Sequence, residues 1–271
     1  MQNALLAGLL GGIGCSIVGV FVVMTGLAFI GTAIAHAAFA GALCGAWLGF
    51  NPLVGAFGFS LGAAGIIGPL ADKGEFRPDT AIGIIFSATM GLAFLFMGLM
   101  PGPKTEGLEI LWGSILAVND TDLWVLIWTT AAVLGVTMLF FKEFQAVMFQ
   151  REVALAVGIP ANAIFYLMLF LTGAVVAACL RSIGGLLVFN LILNPAAAAY
   201  QLTYDLRRMY VLAAAFGVLS AWAGLWLSYL FNLPSGATIV LVTTAVFATA
   251  TLLSPKRRVK KWTKETPRED S

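Results

Sequence analysis

The first 71 residues of the chain contain no Asp, Glu, Lys or Arg, and Asp72 is the first charged residue. Over the whole sequence 60% of residues are hydrophobic and 10% are charged, whereas soluble domains carry about 25% charged residues. A helix needs about 20 apolar residues to cross a bilayer core that is about 30 Å thick. The sequence therefore predicts an all-α, polytopic transmembrane helical bundle and leaves no room for a separate catalytic domain.

Turn residues and charges divide the sequence into nine apolar runs. These runs cover 4–24, 28–50, 53–71, 80–100, 123–141, 162–180, 183–200, 209–231 and 236–253. The run 183–200 is interrupted by Asn194 and Pro195, so the chain has eight spans if this run dips into the membrane and returns, and nine if it crosses. The piece 108–118 is too short to cross and predicts an interfacial or re-entrant helix.

The placement of Lys and Arg predicts the orientation, because cytoplasmic loops of membrane proteins are enriched in both. The segment 254–271 carries a net charge of +4 and is expected to be a basic, disordered cytoplasmic tail beyond the membrane domain 1–253. With nine spans, 72–79, 142–161 and 201–208 also face the cytoplasm, and the N-terminus lies outside. Thirteen of the 15 basic residues are then cytoplasmic, as expected for a multi-pass protein of the cell (inner) membrane.

Several functions are excluded by what the sequence lacks. No Gly-Lys dipeptide occurs, so the chain has no Walker A loop and cannot be its own ATPase. No predicted span holds an acidic residue of the kind that proton pumps use as a relay. Three cysteines without CxxC spacing predict neither a disulfide framework nor a zinc ribbon. We expect a transport subunit with no tightly bound cofactor, powered from elsewhere, rather than an enzyme.

The single histidine, His36, lies within an apolar run. An ionisable side chain inside a membrane helix is a candidate functional residue. Thr32 lies one helical turn before it and Cys44 two turns after it, so the three share a broad helix face. Imidazole, hydroxyl and thiol groups suit a borderline-soft divalent cation such as zinc. The alternative is a histidine that forms a hydrogen bond across a helix interface.

A second feature is the predicted cytoplasmic loop 149–160. A short amphipathic helix over 151–157 is expected, ended by Gly158 and Pro160. Glu152 falls in its first turn, where the helix dipole favours negative charge. From these residues alone a simple linker helix is the alternative.

In four segments the chain resembles the permease family of zinc and manganese ABC importers, of ABC-3 type. The four segments occur in the same order as in the family, and the likeness extends to about residue 250. The segments are 31–41 around His36, 111–118, Glu152 to Gly158, and 184–199 with 234–236.

The resemblance implies a type II importer-like permease that moves a divalent metal ion, namely zinc, manganese or iron. Two copies form the pathway, a cytoplasmic ATPase subunit hydrolyses ATP, and an extracytoplasmic binding protein delivers the metal. It implies that His36 is a pathway ligand, to which the spacing along the helix adds Thr32 and Cys44 as candidates. It also implies that the loop docks onto the ATPase through residues Arg151, Glu152, Ala154 and Gly158.

Three positions that are acidic in the family are neutral in this chain: Thr32, Ser114 and Asn232. A divalent cation in a low-dielectric pathway needs strongly donating ligands. A permease for a metal chelate, such as a siderophore or cobalamin-like compound, is therefore the main alternative. A structural or signalling membrane subunit and a proton-coupled carrier are the other two.

Overall fold

The computed structural model describes residues 2–72, 78–100, 115 and 118–256. Within these residues the chain forms eleven α-helices and no β-strand, which confirms the all-α prediction. They are α1 Gln2–Thr25, α2 Ile30–Leu48, α3 Pro52–Asp72, α4 Pro78–Leu99, α5 Asp120–Leu139, α6 Phe141–Phe149, α7 Arg151–Ala156, α8 Ala161–Ile183, α9 Gly185–Leu202, α10 Leu206–Phe231 and α11 Ser235–Leu252.

Eight of these helices are long and apolar enough to cross a membrane: α1 to α5, α8, α10 and α11. The apolar part of α9, Leu187–Leu202, is shorter. Whether α9 crosses therefore depends on whether it connects the two ends of the bundle.

Contacts between helix ends define two faces of the bundle. Arg181 at the end of α8 lies 3.6 Å from Asp122 at the start of α5, and this face is called the outer end. At the opposite face, called the inner end, the Ser254 hydroxyl donates a 2.8 Å hydrogen bond to the carbonyl of Gln201 at the end of α9. Because α9 begins directly after Gly184, next to the end of α8, it runs from the outer end to the inner end.

The helix α9 does not turn back within the bundle. Pro195 lies inside it without ending it. Asn194 donates side-chain hydrogen bonds to the hydroxyls of Thr243 (3.3 Å) and Thr244 (3.2 Å) on α11. Its 18 residues extend over about 27 Å at 1.5 Å per residue, close to the thickness of a bilayer core. In the described part of the chain, nine helices thus join the two ends.

The centre of the bundle is α1, which packs against α5, α8, α9 and α10. The helix α2 packs against α3, α4 and α8 on another side. Small residues allow these approaches: a Cβ atom at Gly12 would lie 3.0 Å from the backbone of Gly217 on α10. Such backbone proximity stabilises membrane helix pairs by van der Waals packing, since the surrounding lipid is as apolar as the side chains.

One helix was not predicted, and two predicted segments lie outside the described residues. The helix α6 was not predicted, because 142–161 reads as a polar interruption. Most of the expected re-entrant piece 108–118, including Ser114, and the tail beyond Lys256 lie outside the described residues.

Two membrane-length helices carry carboxylates in their first turns, just outside the apolar runs predicted from the sequence. They are Asp79 in α4 and Asp120 and Asp122 in α5, of which Asp122 is buried. These carboxylates lie at helix ends and Asp122 is paired with Arg181, so they do not provide the mid-membrane relay that a proton pump requires.

Candidate functional site

His36 lies in α2 and is partly buried. Its Nδ1 atom is 3.1 Å from the carbonyl oxygen of Thr32, one turn earlier. A carbonyl oxygen only accepts hydrogen bonds, which assigns the proton to Nδ1 and leaves Nε2 with a lone pair. The ring also contacts Phe86 of α4, with centroids 4.8 Å apart. An imidazole oriented by a backbone carbonyl on one nitrogen is the usual form of a metal-ligating histidine.

The other two predicted ligands are also on α2, but at different depths. The Thr32 hydroxyl is buried without a hydrogen-bond partner. The Cys44 thiol is free, with 9% of the residue exposed. Eight residues of helix separate His36 from Cys44, which is about 12 Å along the axis. Metal–ligand bonds of about 2.0–2.3 Å do not extend that far, so His36 and Cys44 cannot bind one ion together.

A complete ion site is not formed within the part of one chain that the structure describes. No three His, Cys, Asp or Glu side chains lie close enough together there to hold a metal ion. Among these side-chain types, His36 thus supplies one strong donor in the described residues.

The predicted loop helix is present as α7, Arg151–Ala156. Arg151 donates a 2.9 Å hydrogen bond to the Asn162 side chain, and its guanidinium lies 4.5 Å from the ring centre of Phe165 on α8. Ala154 is buried against the bundle. These contacts attach α7 to the start of α8, so a force applied to α7 reaches a membrane-spanning helix.

Gly158 ends the loop with a φ of 86°, a value that favours glycine. Its N–H donates to the carbonyl of Leu155 at 3.1 Å, and the next N–H, of Ile159, donates to Ala154 at 3.0 Å. The prediction that Gly158 terminates the helix is confirmed.

An apolar surface surrounds α7 at the inner end. Phe149, Val153 and Val157 are 59%, 51% and 69% exposed, and Glu152 beside them is exposed too. This surface was not predicted, although apolar residues inside a polar loop are its signal. Exposed apolar side chains with a polar rim indicate a protein contact.

At the outer end the structure assembles polar groups that sequence reasoning missed. The carboxylate of Asp122 is 7% exposed and pairs with half-exposed Arg181, while Asn3 donates a 2.9 Å hydrogen bond to Asp120. The N–H of Asn232 donates to Ser228, and Asn232 closes α10 with a left-handed φ of 50°. Asn232 therefore has a local structural role in ending this helix.

Comparison with known proteins matches residues 1–254 to the profile of the ABC 3 transport family. The chain belongs to the ABC 3 transport family. The family resemblance read from the sequence is thereby confirmed, as is the multi-pass membrane location. The chain is a membrane transport subunit of the ABC type.

Two individual proteins are similar to this chain over nearly its whole length. The manganese transport system membrane protein MntC of Listeria monocytogenes is 37% identical over 257 residues, which cover 95% of this chain and 91% of that protein. The manganese import system permease protein ScaB of Streptococcus gordonii is 34% identical, with 95% and 92% covered.

Two solved structures share the fold. PsaBC from Streptococcus pneumoniae in complex with Fab superposes with a TM-score of 0.86 at 34% identity, covering 97% of this chain and 94% of that one. A metal-chelate type ABC transporter in an inward-facing conformation gives a TM-score of 0.71 at 16% identity, covering 93% and 85%. The second likeness concerns the fold alone.

Proposed function

We propose that this chain is the permease of an ABC importer for divalent metal ions, with manganese as its main substrate. The observation that carries the proposal is His36, whose Nε2 atom is left with a lone pair inside a membrane helix. The manganese permeases among the relatives support the choice of metal. Manganese accepts carbonyl and water ligands readily, which fits a pathway where Thr32 and Asn232 replace acids.

Two copies of the chain form the pathway in this proposal. One copy lacks three clustered donors among its described residues, whereas a pair of chains can bring two His36 side chains to one ion. Cys44, about 12 Å further along α2, then serves a separate position nearer the outer end. The ion keeps part of its water shell between these positions, because neutral ligands do not compensate its charge.

ATP is hydrolysed on a separate cytoplasmic subunit that docks onto α7. Phe149, Val153 and Val157 offer the apolar contact, and Glu152 offers a charge at its edge. Rigid-body movement of the docked subunit passes through Arg151 and Ala154 to α8 and alternates access to the pathway. An extracytoplasmic binding protein delivers the metal ion to the outer end.

The test is manganese uptake by proteoliposomes that contain the chain with its ATPase subunit and binding protein. We expect ATP-dependent uptake, competed by zinc and unaffected by chelated iron. His36→Ala should lower uptake at least about tenfold, the loss typical of a disrupted metal shell. Uptake without ATP would contradict the proposal.

A matched variant separates a metal ligand from a structural histidine. His36→Asn keeps an N–H near the position of Nδ1 and can still donate to the Thr32 carbonyl, but it has no atom at Nε2. If His36→Asn transports as wild type while His36→Ala does not, the hydrogen bond matters and the ligand role is wrong. Equal loss in both variants, with intact co-purification of the ATPase, supports the ligand role.

Chelate transport is the second candidate, and the neutral Thr32 and Asn232 favour it. A chelate carries its metal charge already compensated, so it needs no acidic ligands. Uptake of chelated iron in preference to free manganese, by the same proteoliposomes, would select this function.

A further inference from the structure

The imidazole ring of His36 is held by contacts from two different helices. Its Nδ1 atom donates a hydrogen bond to the carbonyl oxygen of Thr32 on its own helix α2, at 3.1 Å. The second contact comes from α4, where the ring centre of Phe86 lies 4.8 Å from that of the imidazole, with an interplanar angle of 53°. The ligand role proposed for His36 uses the hydrogen bond but gives no function to Phe86.

A hydrogen bond at Nδ1 does not by itself fix the plane of the imidazole. The torsion about the Cβ–Cγ bond of histidine has a broad energy minimum, so the ring can tilt while Nδ1 stays within reach of the Thr32 carbonyl. The tautomer is unchanged by such a tilt, but the direction of the Nε2 lone pair changes. Because a metal ion lies only about 2 Å from an imidazole nitrogen, a fixed direction at Nε2 requires a second contact with the ring.

Phe86 is suited to provide that contact, because it is itself held in place. It is partly buried and packs against the hydrophobic core, on a helix that packs against α2 and α3. Ile82 and Ile85, close to it on α4, are buried. The Thr89 hydroxyl donates to the carbonyls of Ile85 and Phe86 at 2.8 Å and 3.1 Å, so this hydroxyl is satisfied within α4 and does not compete for the imidazole.

A second pair of rings joins the same two helices. Trp47 of α2 and Phe96 of α4 stack with their ring centres 5.7 Å apart. Phe96 follows Phe86 by ten residues, which is about 15 Å along the helix, so it lies well away from His36. Both contacts attach α4 to α2 through rings, but only the contact at Phe86 involves a ring that can bind a metal ion.

We propose that Phe86 is a positioning residue for the metal ligand, because its ring fixes the plane of the His36 imidazole and thereby the direction of the Nε2 lone pair. Phe86 does not bind the ion and acts through His36, so the inference rests on the proposed ligand role of that residue. Groups that orient a metal-ligating histidine change metal affinity or activity by about 10–100-fold when they are removed. Loss of the Phe86 ring is therefore expected to weaken manganese binding without removing the ligand.

The experiment measures binding of manganese chloride to the chain purified with its ATPase subunit, without nucleotide or binding protein. Free Mn²⁺ has an electron paramagnetic resonance signal that is lost on binding, so a titration gives the dissociation constant. We expect Phe86→Leu, which keeps an apolar side chain but removes the ring, to raise that constant about tenfold. Phe86→Tyr keeps the ring and should bind manganese as the wild type does.

Phe96→Leu is the matched control. It removes the other ring contact between α4 and α2, so the two leucine variants should lower the melting temperature by similar amounts. Only Phe86→Leu should weaken manganese binding, because only that contact reaches His36.

A second readout reports on the imidazole itself. His36 is the single histidine of the chain, so nuclear magnetic resonance of the full chain with isotope-labelled histidine nitrogens gives the signals of one ring. We expect Phe86→Leu to retain the Nδ1–H tautomer, because the Thr32 carbonyl still accepts its hydrogen bond. A retained tautomer with weakened binding identifies positioning, whereas a changed tautomer would contradict the assignment.

Three binding results would overturn the inference, and they differ in what they imply for His36. Manganese binding that is unchanged in Phe86→Leu but lost in His36→Ala would show that the ligand needs no positioning ring, and the proposed function would stand. Equal weakening in Phe86→Leu and Phe96→Leu would show a general effect of helix packing. Unchanged binding in both Phe86→Leu and His36→Ala would overturn the ligand role as well.

Discussion

At the scale of single residues, the neutral side chain at Thr32 distinguishes this chain from the acidic pattern of its family. His36 and Thr32 are one turn apart, and the Thr32 hydroxyl is buried without a partner. A carboxylate at this position would lie one helical turn from His36 and add negative charge to the ion's surroundings. Thr32→Asp should therefore lower the half-saturating manganese concentration, roughly tenfold, because affinity for hard cations rises with ligand charge.

The control for this variant is Thr32→Asn, which has nearly the shape of aspartate but no charge. Uptake is measured across a manganese concentration series, alongside the melting temperature of each variant without metal. If Asp and Asn shift the half-saturating concentration equally, charge at this position does not govern binding. The ion would then be bound elsewhere than beside Thr32 and His36.

The functional residues that could be predicted from sequence are those whose residue type is itself unusual at its position. His36 could be identified because a lone histidine in an apolar run is costly unless it is used. The pairing of Asp122 with Arg181 could not, because nothing in the sequence indicates that the start of α5 meets the end of α8. The same holds for Cys15 and Cys179, whose Sγ atoms lie 3.8 Å apart in the core although 164 positions separate them.

At the scale of elements, the α7 loop depends on Gly158. Proline at this position requires a φ near −65°, whereas the backbone has 86°, and it removes the N–H that donates to Leu155. We expect Gly158→Pro to lower manganese transported per ATP hydrolysed at least about tenfold, because α7 no longer holds its position on α8. ATP hydrolysis and uptake are measured on the same proteoliposomes.

Asparagine tolerates the left-handed region better than other non-glycine residues, so Gly158→Asn should retain most of the coupling. Comparison of the two variants tests backbone conformation rather than loss of glycine as such. Unchanged coupling in Gly158→Pro would show that α7 does not transmit the movement of the ATPase.

The contact between α1 and α9 depends on Gly19. A Cβ atom there would overlap the carbonyl oxygen of Ile192, whereas Gly135 on α5 has open space around the same position. We expect Gly19→Ala to lower the free energy of unfolding by about 1–3 kcal/mol, the usual effect of overpacking. Gly135→Ala should be neutral or stabilising by up to about 1 kcal/mol, because alanine favours helix.

Thermal unfolding of both variants in one detergent provides the measurement. A decrease for Gly19→Ala with no decrease for Gly135→Ala supports the close approach of the two helices. If both variants have the melting temperature of the wild type, α9 does not pack against α1 as described, and it need not cross the bundle.

Element boundaries were predictable where turn chemistry marks them. Gly158 and Pro160 gave the end of α7 correctly, because both residues disfavour continuation of a helix. The break between α5 and α6 at Phe140 has no such marker, since Leu139, Phe140 and Phe141 fit a helix interior equally well. It is stabilised by tertiary contacts, such as the ring of Phe144 against Phe21 of α1, with centroids 5.0 Å apart, and local sequence does not encode these.

At the scale of the whole molecule, the two ends of the bundle differ in chemistry. The outer end has the Asp122–Arg181 pair, whereas the inner end collects Lys142, Arg151 and Arg207. Because basic residues tend to stay in the cytoplasm, this asymmetry predicts that the inner end, with the α7 surface, faces the cytoplasm. The sequence leaves eight or nine spans open because Asn194 and Pro195 interrupt one run, and the contacts of α9 at both ends of the bundle favour nine.

Labelling of single cysteines tests the resulting topology. In a background without Cys15, Cys44 and Cys179, cysteine is placed at Asn232 or at Lys256, and intact cells are treated with a membrane-impermeant maleimide. Nine crossings put Asn232 outside and Lys256 inside, so we expect labelling of Asn232→Cys and protection of Lys256→Cys. Eight crossings, with α9 returning to its starting side, would put Asn51 and Asn232 on opposite sides of the membrane, whichever end of the chain fixes the orientation.

Asn51→Cys is the reference, because it precedes α9 and lies on the same side as Asn232 only if α9 crosses. Permeabilised cells should label all three positions, which shows that protection arises from the membrane and not from burial. Asn232 is exposed at the end of α10, so its accessibility is not limited by packing. Labelling of only one of Asn51→Cys and Asn232→Cys in intact cells would overturn the nine-helix crossing. Labelling of Lys256→Cys would overturn the cytoplasmic position of the basic inner end, on which the ATPase contact depends.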